Sequence, residues 1–229
     1  MSIVQCQEIT KTYRQGKVDV TALHGISLDV AEGGFVALAG PSGSGKTTLL
    51  NLIGGLDRPN AGRIVIGDKD YADLSDSQMA DLRLHRIGFV FQAYNLIPVL
   101  SAVENVEYVM LLQGVPSAER RRRARRILDD VGLADKYHRR PAELSGGQQQ
   151  RVAVARAIVA DPSIVLADEP TANLDSRTGE ELLRLMQEMN SRRKVTFIFS
   201  THDEMVMAHA HRVITIRDGR IADDRTKGS

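Results

Sequence analysis

Gly40-Pro41-Ser42-Gly43-Ser44-Gly45-Lys46-Thr47 decides the fold, because this octet meets G-x-x-x-x-G-K-[ST] at every fixed position. The apolar run Phe35-Val36-Ala37-Leu38-Ala39 precedes it, and a helix-like run at 48–53, opening on Thr48, follows. Strand, glycine-rich loop and helix in that order form a cradle whose backbone N–H groups turn inward around the β- and γ-phosphates of a nucleotide. Lys46 supplies positive charge at the terminal phosphates, and the Thr47 hydroxyl suits Mg²⁺. A surface turn that happened to precede Lys-Thr would need neither flank. The octet reads as a nucleoside triphosphate site.

Further apolar runs at 87–91, 164–167 and 195–199 are continuous rather than alternating. That pattern is expected of parallel strands covered by helices on both faces, so the fold class is α/β, a P-loop core around a parallel sheet. Residues 3–10 and 20–30 read instead as antiparallel strands about the Gln15-Gly16 turn, with 64–66 and 213–216 as further strands. Leu182, Leu183, Leu185, Met186 and Met189 form one apolar stripe at helical spacing after Asp175-Ser176, and read as core.

The run at 164–167 ends in Asp168-Glu169. With a P-loop upstream, Asp168 is placed to hold Mg²⁺ through its water shell opposite Thr47, and Glu169 to orient or deprotonate the attacking water. Gln92 and His202 also follow apolar runs. Ligands of open α/β sheets bind outside the carboxyl ends of the strands, so both side chains are expected near the γ-phosphate.

Composition limits the alternatives. The chain has 229 residues, 42% hydrophobic and 26% charged, enough for one α/β domain with an inserted subdomain. Its net charge of +1 gives no general nucleic-acid footprint. The lone Cys6 excludes an intrachain disulfide and fits a reducing compartment. No apolar run reaches the roughly 18–20 residues that cross a bilayer, and the N-terminus lacks a signal-peptide pattern. A cytoplasmic chain is expected, with any membrane role arising through a partner.

Between Gln92 and Pro141 no strand pattern occurs. Ser101 and Glu104 have capping-box spacing ahead of a helix running to Leu112, and Ser117 begins another that carries Arg120, Arg121, Arg122, Arg123, Arg125 and Arg126. This arginine run could touch lipid headgroups or nucleic acid, but reads first as a solvated helix face helped by Glu119–Arg123 pairing at i, i+4. The expected division is about 1–92 and 160–229 for the core, with its antiparallel part, and about 93–159 for a helical subdomain.

That helical region ends in Leu144-Ser145-Gly146-Gly147-Gln148. Ser145 is suited to cap a helix, Gln148 completes the capping-box spacing, and the glycines bare backbone N–H groups at the positive end of a helix dipole. The pentapeptide carries no lysine and no metal-binding acid, so it is half of an anion site.

Taken in order, the octet, Gln92, Leu144 to Gln148, Asp168-Glu169, Asn173-Leu174-Asp175 and His202 resemble the ATP-binding cassette (ABC) ATPase family over nearly the whole chain. The resemblance implies that two copies dimerise head to tail, each ATP lying between one chain's P-loop and the other's pentapeptide. Ser145, Gly146 and Gly147 would grip the γ-phosphate held by the partner, and Asp175 would lie at the same interface. His202 would hold the γ-phosphate and position the water beside Glu169, and Gln92 would bind Mg²⁺ or the water. Tyr13 matches the aromatic residue that stacks on adenine.

Gly54-Gly55-Leu56-Asp57, Phe89-Val90-Phe91-Gln92, Asn95-Leu96-Ile97-Pro98 and Glu104-Asn105-Val106 are similar to the branch that contains lipoprotein-release, macrolide-export and cell-division ATPases. Thr47 stands where serine is commoner, and Ala172 where this branch often has glycine. The branch implies a separate integral-membrane permease as partner, with the ATPase peripheral on the cytoplasmic face of the cell membrane and no direct nucleic-acid contact. Leu96, Ile97, Pro98 and Val99 would either suit a short permease helix, in a groove near residues 93–105, or pack into the core. The alternative is a soluble ABC-type ATPase acting on nucleic acid or ribosomes, but those usually carry two cassettes or a long coiled coil.

Overall fold

In the computed structural model, which describes residues 1–16 and 18–227, two sheets share the chain. Strands β1 (Ser2–Gln15), β2 (Val18–Ala31), β4 (Ala61–Ile66) and β5 (Lys69–Asp70) form a 4-stranded antiparallel sheet ordered β2-β1-β4-β5. The second sheet is 6-stranded. It is built from β3 (Phe35–Ala39), β6 (Ile87–Val90), β7 (Ile164–Asp168), β8 (Thr196–Thr201), β9 (Arg212–Arg217) and β10 (Arg220–Thr226), in the order β10-β9-β3-β8-β7-β6. Every pairing in it is parallel except β9 with β10.

The helices are α1 (Lys46–Ile53), α2 (Asp76–Arg86), α3 (Ala102–Leu112), α4 (Ser117–Asp130), α5 (Gly146–Ile158), α6 (Ser176–Arg193) and α7 (Glu204–His209). Every residue of β3 and β8 is buried, as parallel strands between two layers require. Phe35, Phe197 and Phe199 pack with the apolar stripe of α6 on one face. Val36, Leu38 and Ile198 pack with α1 and the antiparallel sheet on the other. The alternation is the two-residue period of a strand, read out in three dimensions.

Register positions the site. Ala39 lies level with Thr201, Asp168 with Ser200, and Val90 with Ala167. The carboxyl ends of β3, β6, β7 and β8 therefore finish together, and the residues that follow them share one edge of the sheet.

Between β6 and β7 the described elements are all helical, α3, α4 and α5 with a 3-10 turn at Pro141–Glu143. The arginines of α4 are mostly engaged. Arg121 bonds Glu107 at 2.5 Å, Arg122 bonds Glu119, and Arg120 donates to the Val115 carbonyl at 2.6 Å. Arg125 lies over the Tyr137 ring. One sequence expectation fails here, because Glu119 pairs with Arg122 at i, i+3 and not with Arg123. Arg123 reaches across to the Val159 carbonyl and the Asp161 carboxylate, both at 2.6 Å, because its side of the helix faces the loop before β7. Sequence patterning also missed β5, β10, α2 and α7, which are short or mainly polar.

Candidate functional site

The phosphate cradle grows out of β3. Gly45, at the start of α1, has φ 105°, and a Cβ there would sit 2.7 Å from Leu23 and 2.8 Å from the Ala22 carbonyl. Only glycine fits that left-handed turn. Lys46 is almost wholly buried, and its ammonium donates to the carbonyls of Gly40 at 2.7 Å and Pro41 at 2.8 Å. The lysine thus braces the loop from inside.

A cavity of about 370 Å³ opens over the loop. Ser42, Gly43, Ser44, Gly45, Lys46, Thr47 and Thr48 line it, with Gln92, Asp168, Glu169 and His202 opposite. Every strand-end residue singled out by the sequence thus faces one cavity. The Ser44 hydroxyl is buried there without a hydrogen-bond partner, an orphan that a phosphate oxygen would satisfy. Thr47 Oγ1 donates to Asp168 Oδ1 at 3.1 Å. A hydroxyl and a carboxylate side by side, with the amide of Gln92 on the same cavity, form an all-oxygen donor set of the kind that suits Mg²⁺ completed by phosphate and water.

Glu169 is fixed on several sides. Its N–H donates to the Ser200 carbonyl at 2.9 Å, and its φ of 46° is an unusual left-handed value for a non-glycine residue. His202 Nδ1 lies 2.7 Å from Glu169 Oε1, and Thr201 Oγ1 donates to Oε2 at 3.4 Å. A carboxylate only accepts, so this contact is a hydrogen bond when Nδ1 carries the imidazole proton. Behind them Thr171 Oγ1 donates to Asp203 Oδ2 at 3.1 Å, which ties the segment after Glu169 to the segment after His202. Asn173 Nδ2 donates to the Gln92 carbonyl at 2.9 Å.

Tyr13 lies off the cavity lining, on β1. Its hydroxyl donates to Asp57 Oδ2 at 2.9 Å, and the Lys11 ammonium stands 4.9 Å from the ring centroid. Burial, and then the Asp57 carboxylate, push the Tyr13 hydroxyl above its ordinary pKa.

None of Leu144 to Gln148 lines the cavity either. Ser145 caps α5, accepting from the Gln148 N–H at 3.3 Å while its own N–H donates to Gln148 Oε1 at 3.0 Å. A side chain at Gly147 would collide with the Thr178 methyl, and one at Gly146 would lie 2.9 Å from the Tyr94 hydroxyl. Asp175 caps α6, accepting from Thr178 Oγ1 at 2.7 Å and the Thr178 N–H at 3.0 Å, and these bonds hold its carboxyl below the usual carboxylate range. Gly147 and Asp175 therefore meet the same threonine.

Some site residues were not anticipated from sequence: Thr201, Asp203, Thr171 and the backbone of Ser200. The available signal was their position beside His202 and Glu169.

Fold and cavity together define a P-loop nucleotide hydrolase. The chain belongs to the ABC transporter family, whose model, described as "ABC transporter", matches residues 23–172. An uncharacterized ABC transporter ATP-binding protein of Thermotoga maritima is 47% identical over 226 residues, covering 99% of this chain and 96% of that one. The lipoprotein-releasing system ATP-binding protein LolD of Chromohalobacter salexigens is 46% identical, with coverages of 97% and 94%. The macrolide export ATP-binding/permease protein MacB of Syntrophobacter fumaroxidans is 51% identical, and this chain spans 31% of its length. A dimeric, post-hydrolysis structure of the cassette MJ0796 bound to ADP and Pi superposes with a TM-score of 0.91 at 42% identity, covering 99% of this chain and all of that one. The chain is an ATP-hydrolysing nucleotide-binding subunit of the ABC transporter family, and its relatives include proteins named for lipoprotein release and macrolide export. No described helix is long and apolar enough to cross a membrane.

Proposed function

We propose that two copies of this chain close head to tail around two ATP molecules and drive a separate membrane permease by reopening after hydrolysis. One observation carries the reading. The cavity holds a phosphate cradle, a hydroxyl–carboxylate pair and a held Glu169, while the anion-binding helix start at Ser145 lies off it. A second copy supplies that missing wall.

Lys46 and the N–H groups of residues 43–47 bind the phosphates, with the Ser44 hydroxyl directed at the same cavity. Thr47 and Asp168, with Gln92, would hold Mg²⁺, which supplies neutralising charge to the phosphate oxygens when bound. Glu169 takes the proton of the attacking water, and His202 steadies the carboxylate through its Nδ1–H. Tyr13 offers its ring to adenine, held in place by Asp57.

For the permease, a cavity of about 460 Å³ is lined by Phe89, Phe91, Asn95, Tyr108, Leu112 and Arg156. Tyr108 and Leu112 are exposed, which suits a short apolar helix from a membrane partner. Of the residues expected to line this surface, Leu96 packs against the core and Ile97 is half-buried, leaving Pro98 and Val99 exposed. That leaves the α3 side of the cavity, at Tyr108 and Leu112, as the surface proposed for docking. Such docking would place the chain on the cytoplasmic face of the membrane.

The test is the mass of Glu169→Gln with ATP, measured by light scattering after size exclusion. A dimer is expected with ATP and a monomer without it. A monomer under both conditions would rule out the shared site.

A further inference from the structure

Gln150 lies one turn inside α5 from Ser145, and its side chain is completely buried. Its Nε2 donates to the Pro170 carbonyl at 2.7 Å and reaches the Phe91 carbonyl at 3.5 Å. Pro170 follows Glu169, and Phe91 precedes Gln92. One amide nitrogen therefore contacts the backbone next to Glu169 and next to Gln92, two of the polar residues that line the cavity. Its Oε1 is buried without a partner. An unpaired buried carbonyl is unfavourable, and methionine or leucine would fill the same volume without it. Packing alone does not account for an amide here.

We propose that Gln150 is a positioning residue, which couples the placement of α5 to the placement of Glu169 and Gln92 in the same chain. This rests on the head-to-tail reading above. The start of α5 meets the ATP held by the partner, so a shift of α5 on loading of that site pulls on the Pro170 and Phe91 carbonyls. Glu169 is thereby set in one site by occupancy of the other. The two sites then hydrolyse cooperatively, and the coupling runs through a hydrogen bond that an apolar side chain cannot make.

The test compares the full-length chain with Gln150→Met and Gln150→Leu in steady-state ATP hydrolysis, fluorescent-nucleotide binding and thermal melting. The wild-type Hill coefficient is expected above 1. In both variants it should fall to about 1, with turnover down on the order of 10- to 100-fold. Nucleotide affinity should stay within about twofold and both variants should remain folded at the assay temperature. Turnover within about twofold of wild type with an unchanged Hill coefficient overturns the proposal. So does a loss of turnover with an unchanged Hill coefficient that tracks a loss of melting temperature in both variants, which would make Gln150 a structural residue only. Glu169→Gln is run beside them. If that variant forms its ATP dimer while Gln150→Met is unaffected, only the coupling falls; if it forms no dimer, the head-to-tail reading falls and takes the coupling with it.

Discussion

Glu169 depends on neighbours that its own sequence segment does not name. Adjacent carboxylates at a strand end, downstream of a P-loop, are legible in the chain as Asp168 and Glu169. Their fixation is not legible, because Ser200, Thr201 and His202 reach Glu169 only through the register of β7 with β8. Glu169→Gln keeps the shape and can still accept from His202 and Thr201, but it is far too weak a base to deprotonate water. We expect ATP binding to survive while turnover falls about 10²- to 10⁴-fold, read by phosphate release beside nucleotide binding. Near-normal turnover would remove the general-base assignment. Lys46→Ala takes away both the phosphate cation and the brace on the Gly40 and Pro41 carbonyls. It should abolish measurable ATP binding in titration calorimetry, and retained affinity would show that the backbone cradle suffices.

Single elements carry effects of their own. Gly88 in β6 faces α5 so closely that a Cβ would collide with the Ala157 carbonyl. Gly88→Ala must push strand and helix apart, and should lower stability by about 1–3 kcal/mol, seen as an earlier urea midpoint. An unmoved midpoint would mean that the contact opens freely. In β1, burial pushes the Cys6 thiol from its ordinary value of 9.0 up to about 12. A raised folded pKa favours the protonated thiol, so its contribution is complete below pH 9 and is lost progressively as pH rises towards 12. Wild-type stability should therefore decline over that window more steeply than that of Cys6→Ala, in denaturant melts taken across alkaline pH. Parallel profiles would remove the link. Helix existence was legible in α3, α4 and α6 from caps and apolar spacing, whereas the partners of the α4 arginines were not. Arg123 turned to Asp161 rather than Glu119 because a loop distant in sequence packs beside that face.

At the scale of the whole molecule, the capped start of α5 lies off the lining of its own chain's phosphate cavity. Ser145→Arg places a bulky cation where the partner's γ-phosphate is expected. It should leave nucleotide binding to the monomer intact while preventing the ATP dimer of the Glu169→Gln background, as read by light scattering. Dimer formation in that double variant would count against the composite site. The sequence by itself determined what is local: the phosphate octet, the strand-end acids, the capping boxes and the alternation that sorts buried strands from amphipathic helices. Those features depend on residues within a few positions of one another, so spacing suffices to read them. Tertiary structure alone decided that β7 and β8 run level enough to join Glu169 to His202, and that Gln150 reaches two loops. It also decided that Gly147 meets Thr178, and that Tyr108 and Leu112 of α3 line one cavity with Phe89 and Phe91. Each of these is a contact between segments far apart in the chain, set by strand register and helix packing, and no local pattern encodes it.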